Sequence, residues 1–337
     1  MTDIPSPAAR KPGRAWVGWL VRLAISALVL TVIFHLVPFE TVVREARKLS
    51  PALWLGGLAA FLFGHALSAA KWRMLIGEGV SYPQAFRAHL AGLAANLCLP
   101  SVAGGDVVRA GLVYRQAKDP ARLTAGSVAD RLIDTLGLGL IAVIGSLAAF
   151  GLGAAAGSNL ILIASAVAAG VAATLGVVLV ASRLLARRTF AGRLGRLLAS
   201  AAAAVSNLAR EPGRLAACLI LSLGIQTIFI CINIAFANAA EVQAPASAWF
   251  FAWSSAKIIA IAPVSLGGLG VREASTAVLL KPFGADPAQV IAIGLIWQTL
   301  LYASGLIGLI VQAAWKPAAR EMSDKGSQAA KIEPSAT

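Results

Sequence analysis

The chain has 337 residues, of which 58% are hydrophobic and 13% charged, and its mean hydropathy is +0.78. A soluble domain of that length does not carry this composition. The net charge of +14 does not point to nucleic acid, because most Arg and Lys fall between apolar runs, as the positive-inside rule expects.

In chain order, residues 1–15 read as a polar, Pro-rich, disordered tail. A first span is expected over about 17–37, with Trp16 and Trp19 at an interfacial position. It is too long for a signal peptide and has no clean cleavage site. A second span is expected over 52–70, closed by Lys71, Trp72 and Arg73. An apolar stretch from 84 to 120 follows, then a third span over 128–150, a charge-free loop at 151–159, and a fourth span over 160–181. Residues 183–214 are strongly basic, with Phe190, Leu194, Leu197, Ala201, Val205 and Leu208 at helical spacing. That pattern predicts an amphipathic helix on an anionic membrane face. A fifth span is expected over 215–237, a second apolar stretch over 247–283, a last span over 288–313, and a disordered tail over 316–337. Residues 16–315 thus form one transmembrane domain. Cys98, Cys218 and Cys231 lack metal-ligand spacing and read as small buried hydrophobes.

The two apolar stretches carry matching breaks. PSVAGGDVVR runs from Pro100 to Arg109 and PVSLGGLGVR from Pro263 to Arg272. Both fit Pro-x-x-x-Gly-Gly-x-x-Val-Arg. Placing the basic 183–214 loop in the cytoplasm puts both termini there too. Arg44, Arg47 and Lys48 then fall outside, against the rule. On this count 84–120 enters and leaves from the cytoplasm, and 247–283 from the opposite face. The expected fold is therefore all-α and polytopic: about six transmembrane helices plus two re-entrant helical hairpins in an inverted repeat.

The motif suits an anion site. Pro100 and Pro263 end the incoming half-helices, and Gly104, Gly105, Gly267 and Gly268 permit close backbone approach. Each outgoing half-helix presents its N-terminus to the break. Arg109 and Arg272 follow, with a guanidinium fork that suits phosphate. Asp106 is placed to pair with Arg109, or to meet substrate. Glu273 is expected to face elsewhere or pair with another helix. Asp130, Arg131 and Asp134 open the third span, where the two acids line a cavity or serve as a cytoplasmic cap. Lys257 either snorkels or adds a second cationic head-group contact. Asn96 is placed to satisfy freed backbone, and His65, His89, Gln226 and Gln298 read as interhelical hydrogen-bonders.

The chain resembles the lysylphosphatidylglycerol synthase transmembrane family of flippase-like membrane proteins, and some hopanoid-biosynthesis-associated members look like it too. The residues that carry this are KWR at Lys71–Arg73, NLCLPSVAGGDVVR at Asn96–Arg109, DRLID at Asp130–Asp134 and PVSLGGLGVRE at Pro263–Glu273. The resemblance implies an inner-membrane lipid flippase. In two-part members a separate soluble domain carries aminoacyl transfer; the tail after Trp315 is short and polar, so that activity is not expected of this chain. Two classes of function stand. One is a flippase or scramblase for an anionic lipid, with membrane lipids as partners and no cofactor or metal. No nucleotide loop of the G-x-x-x-x-G-K-[ST] type occurs, so transport is expected to be passive or ion-coupled unless a partner supplies energy. The other is a membrane enzyme using Asp106, Asp130, Asp134 and Glu273 on a lipid-linked phosphate or sugar, or a non-catalytic partner of lipid-biosynthesis enzymes.

Overall fold

The computed structural model describes Thr31 and residues 38–98, 102–150, 210–261 and 270–315. Among them the chain is helical, with no strand. The nine α-helices are α1 (Phe39–Lys48), α2 (Pro51–Ile76), α3 (Tyr82–Cys98), α4 (Val102–Val113), α5 (Pro120–Phe150), α6 (Pro212–Ala239), α7 (Ala246–Ile259), α8 (Val271–Leu280) and α9 (Pro287–Ala314). The expected spans at 17–37 and 160–181, the tails, the hairpin tips and all but the end of the basic segment lie outside the described residues.

Proline at the first helical position begins α2, α6 and α9, where its missing N–H costs nothing. Ser50 Oγ caps α2 by accepting from Leu53 N at 3.1 Å, and Asp286 caps α9 by accepting from Ala288 N at 2.9 Å. Gly77 ends α2 with φ of 86°. Helices α2, α5, α6 and α9 have 26, 31, 28 and 28 residues and are apolar enough to cross a bilayer, which takes about 20.

The boundaries correct the sequence reading at two places. Helix α2 runs six residues past the expected 70, so Lys71 lies within it and is fully buried. Helix α5 starts at Pro120, not 128, so Asp130 lies almost three turns inside and neither acid is a cap. Residues 39–48, which lie between the expected first and second spans, form α1, which packs on α9.

Helices α2 and α6 run antiparallel, in contact through small residues. A Cβ at Gly57 would lie 2.8 Å from Phe236 Cζ, and one at Gly64 2.5 Å from Phe229 Cε1. Phe61, Phe229, Trp253 and Trp297 fill the centre with ring centroids 5.1–5.9 Å apart. Beside this pair stand two helical hairpins. In the first, α3 and α4 approach backbone to backbone: a Cβ at Gly92 would lie 2.8 Å from Gly105 O. Helix α7 pairs with α8 in the second. Helix α3 also lies along α9, and α7 along α5.

The open ends of the hairpins lie at opposite ends of the bundle. At one end Lys118 N donates to Glu78 O (3.3 Å), Arg122 pairs with Glu211 (3.0 Å) and Arg87 Nε donates to Gln312 Oε1 (2.9 Å). This end gathers the base of the first hairpin, the starts of α5 and α6 and the end of α9. At the other, Lys48 Nζ donates to Ala240 O (3.3 Å) and the Phe150 ring lies 5.0 Å from Phe283. There lie α1, the ends of α5 and α6, and the base of the second hairpin.

Candidate functional site

The first hairpin brings Arg109 to α5 and α2. Arg109 is 2% exposed. Its Nη2 donates to Asp130 Oδ2 at 3.1 Å and lies 3.3 Å from Asp106 Oδ1. Its guanidinium lies 4.3 Å from the centroid of the Trp72 ring. Lys71 Nζ lies 3.2 Å from Asp130 Oδ1 and donates to Asp134. Asp134 also accepts from Ser222 Oγ on α6 at 2.6 Å. Arg131 grips Asp106 through Nε at 2.7 Å and through Nη2. Lys71, Arg109 and Arg131 thus face Asp106, Asp130 and Asp134, three charges of each sign. Balance of this kind offsets the desolvation of the buried Lys71, Arg109 and Asp130.

A histidine pair continues from this cluster. Arg109 Nη1 lies 3.3 Å from His89 Nδ1, and His89 Nε2 lies 2.9 Å from His65 Nδ1. Arginine only donates, so His89 Nδ1 accepts and the neutral ring carries its proton on Nε2. That proton is given to His65 Nδ1. His65 then bears its own proton on Nε2, which is buried and has no partner among the described residues. The tautomers are assigned from this chain of donors.

The second hairpin is arranged differently. Arg272 donates through Nε to Glu273 Oε1 at 3.0 Å, and through Nη2 to the same oxygen and to Gln298 Oε1 at 3.0 Å. Its guanidinium lies 5.0 Å from the Trp253 ring. Glu273 is 2% exposed. Rather than turning away or pairing with another helix, as the sequence suggests, it pairs with its own neighbour. Its Oε2 also accepts from Gly270 N at 2.7 Å, so the chain's own carboxylate sits at the N-terminus of α8. In the first hairpin Asn96 Oδ1 accepts from Gly105 N at 3.0 Å. Oxygens of the chain itself thus occupy backbone donors at the start of both outgoing helices, in place of the expected open anion sites.

Lys257 donates to Gln226 Oε1 at 2.8 Å and lies 5.3 Å from the Phe229 ring. Among the described residues it has no carboxylate in ion-pairing range. Gly104 lies in α4, while Pro100, Pro263, Gly267 and Gly268 lie outside the described residues. The structure therefore gathers Asn96, Gly105, Asp106, Arg109, Asp130, Arg131 and Asp134 in one region, and Arg272 and Glu273 in another. Lys71 and Trp72 are site members that read from sequence as an interfacial flank. The signal that distinguishes them is the apolar Met74-Leu75-Ile76 run before Gly77, which keeps the helix going. Among the described residues no group of three His, Cys, Asp or Glu is placed to hold a metal, and each of the four carboxylates pairs with a cation.

Four apolar helices of membrane-crossing length, with ionic groups held inside the bundle, define a multi-pass membrane protein. The chain belongs to the family described as the lysylphosphatidylglycerol synthase TM region, which matches residues 19–308. That match takes in both hairpins and every site residue above, and it places the protein among membrane proteins of lipid metabolism or transport. No curated protein matches the chain.

Proposed function

We propose that the protein is a lipid transporter, a flippase or scramblase that moves a lipid with an anionic head group between leaflets. The observation that carries this reading is that the two hairpins open at opposite ends of one bundle and carry charged side chains into its interior. In a bilayer each hairpin is then re-entrant, one from each face. The halves α2–α5 and α6–α9 form an inverted repeat, as in transporters that alternate access around a central site. The crossed packing of α3 on α9 and of α7 on α5 supports the repeat, as does the antiparallel pairing of α2 with α6. The end that bears Lys118, Arg122, Arg210 and Arg214 is cytoplasmic by the positive-inside rule. Both termini lie on that side of the inner membrane. Lipid-biosynthesis enzymes are the natural neighbours of such a carrier.

In this mechanism Arg109 and Arg272 hold the head group in transit, exchanging Asp130 and Glu273 for its phosphate. The polar residues between the hairpins shield it while the acyl tails stay in lipid. Movement is passive or ion-coupled. The test is head-group accessibility of a fluorescent anionic phospholipid in proteoliposomes. The parent protein is expected to speed leaflet exchange well above protein-free vesicles. The Arg109→Ala, Arg272→Ala double variant, confirmed folded by its thermal transition, is expected to fall to the protein-free rate. Unchanged exchange in that variant would overturn the mechanism.

A further inference from the structure

Among the described residues, the ionic groups within the bundle and at its edge, where Arg131 is half exposed, do not cancel. Lys71, Arg109 and Arg131 are matched by Asp106, Asp130 and Asp134, and Arg272 by Glu273. Lys257 is left over. It is not far from the first cluster: Asp134 accepts from Ser222 and Lys257 donates to Gln226, and these two residues are one turn apart on the same face of α6. Yet Asp134 is engaged by Lys71 and Ser222, and lies outside ion-pairing range of Lys257. An ammonium has three N–H donors, and Lys257 places one of them, on Gln226. It sits about 16 Å along α7 from the start of that helix, at 1.5 Å per residue. A cation without a counter-ion at such depth is costly and marks a functional position.

A second observation is independent of the charge. Trp253 and Ser254 share the Lys257 face of α7, at four and three residues' separation. They are 2% and 0% exposed. Among the described residues, Trp253 Nε1 and Ser254 Oγ nevertheless have no hydrogen-bond partner. Buried polar groups are almost always satisfied, and an indole N–H donates only. The Phe229 ring lies 5.3 Å from both Lys257 Nζ and the His65 ring centroid, and His65 Nε2–H is the orphaned end of the donor chain that begins at Arg109. One unmatched positive charge stands beside donors that lack an acceptor.

We infer that Lys257, Trp253 Nε1, Ser254 Oγ and His65 Nε2 form a binding site for a singly charged oxyanion, the chemistry of a phosphodiester head group or of free phosphate. One negative charge there balances this set of ions, and its oxygens fill the orphaned donors. This deepens the transport reading and rests on it for its biological setting, but the site is tested by equilibrium binding alone.

The experiment measures thermal unfolding of the detergent-purified protein with dihexanoylphosphatidylglycerol, dihexanoylphosphatidylcholine or inorganic phosphate. The parent protein, Lys257→Arg and Lys257→Met are compared. Phosphatidylglycerol is expected to raise the transition of the parent and of Lys257→Arg saturably, and to bind Lys257→Met at least tenfold more weakly. Phosphatidylcholine, with no net charge, is expected to have little effect. Without ligand, Lys257→Met is expected to unfold no lower than the parent, because it removes an unmatched, half-buried charge. Inorganic phosphate that reproduces and competes with the lipid effect would support the oxyanion site and identify a solute as its source. Equal lipid binding by Lys257→Met, or a large loss of its ligand-free stability, would overturn the proposal. Binding without leaflet exchange would sink the transport reading alone, and exchange without Lys257-dependent binding would sink this site alone.

Discussion

The two hairpins carry the same Pro-x-x-x-Gly-Gly-x-x-Val-Arg motif but secure its arginine in different ways. Arg109 reaches out of its hairpin to Asp130 on α5, is faced by Trp72 on α2 and meets His89 on α3. Arg272 turns back onto Glu273, the next residue in its own helix, and reaches outward to a neutral amide, Gln298. The first hairpin is therefore cross-braced by ion pairs to the spanning helices, while the second keeps its ion pair within itself. An ion pair between elements resists their separation, and one within an element does not. The second hairpin is thus the one whose position the electrostatics leave adjustable, and it is also the one that carries the unmatched Lys257.

The sharpest break of this contrast is to neutralise each partner acid. Asp130→Asn leaves Lys71 and Arg109 facing one charge fewer in a site closed to water. Breaking a buried pair in this way costs about 3–5 kcal/mol. Glu273→Gln keeps a hydrogen-bonding side chain next to Arg272, beside the Gln298 amide and the Trp253 face, and is expected to cost about 1–3 kcal/mol. Thermal unfolding of the two purified variants should rank them in that order. Equal losses would show that both hairpins are braced alike. A companion variant, Lys71→Met with Asp134→Asn, removes one charge of each sign. It is expected to be more stable than the sum of the single changes predicts, by about 0.5–3 kcal/mol. Strict additivity would mean that Lys71 and Asp134 are not coupled.

A second contrast lies within the first hairpin. Gly92 faces the Gly105 carbonyl so closely that an added Cβ would stand 2.8 Å from it, whereas among the described residues Gly111 has nothing within 4 Å of the same position. Gly92→Ala must spread two helices whose backbones touch, at a cost of about 1–3 kcal/mol. Gly111→Ala should be neutral or gain up to about 1 kcal/mol of helix propensity. The same unfolding assay separates them, and similar values would mean that the α3–α4 contact tolerates widening.

Much of this architecture is legible in the sequence alone. Hydropathy locates the four described spans because a bilayer fixes their length, and the paired motif locates both hairpins because proline and glycine have few other uses in an apolar tract. Pairing is the illegible part. Lys71 reads as an interfacial flank because hydropathy cannot tell a cation at a helix end from one held inside by two carboxylates. Asp130 reads equally as a cavity-lining acid or as a cap, because the polar first turns of α5 resemble a loop. Glu273 reads as facing elsewhere or pairing with another helix because adjacent helix residues point about 100° apart, and only side-chain flexibility lets Arg272 bend back to it. Helix α1 escapes the hydropathy pattern because ten residues with three basic side chains resemble a loop, although Thr41 and Glu45 bury against the bundle.

That helix offers the mildest test, because it repeats the local pattern of the second hairpin outside the spans. Glu45 is buried, which by itself pushes its carboxyl upward. Lys48 at 2.9 Å and Arg44 at 3.1 Å outweigh this and hold it below the ordinary value of 4.5. A depressed carboxylate stabilises the docked helix fully above its unfolded value, and that stabilisation is lost as pH falls through the folded one. Hydrogen-exchange protection of the α1 amides should therefore fall severalfold between about pH 6 and pH 3.5 in the parent protein. In Glu45→Gln, protection should be lower at the higher pH and change little with acid. If Glu45→Gln matched the parent at both pH values, the ion pairs of α1 would contribute nothing to its docking. The equally local pair of Arg272 with Glu273 would then have no claim to hold the second hairpin in place, and the contrast with the cross-braced first hairpin would grow wider still.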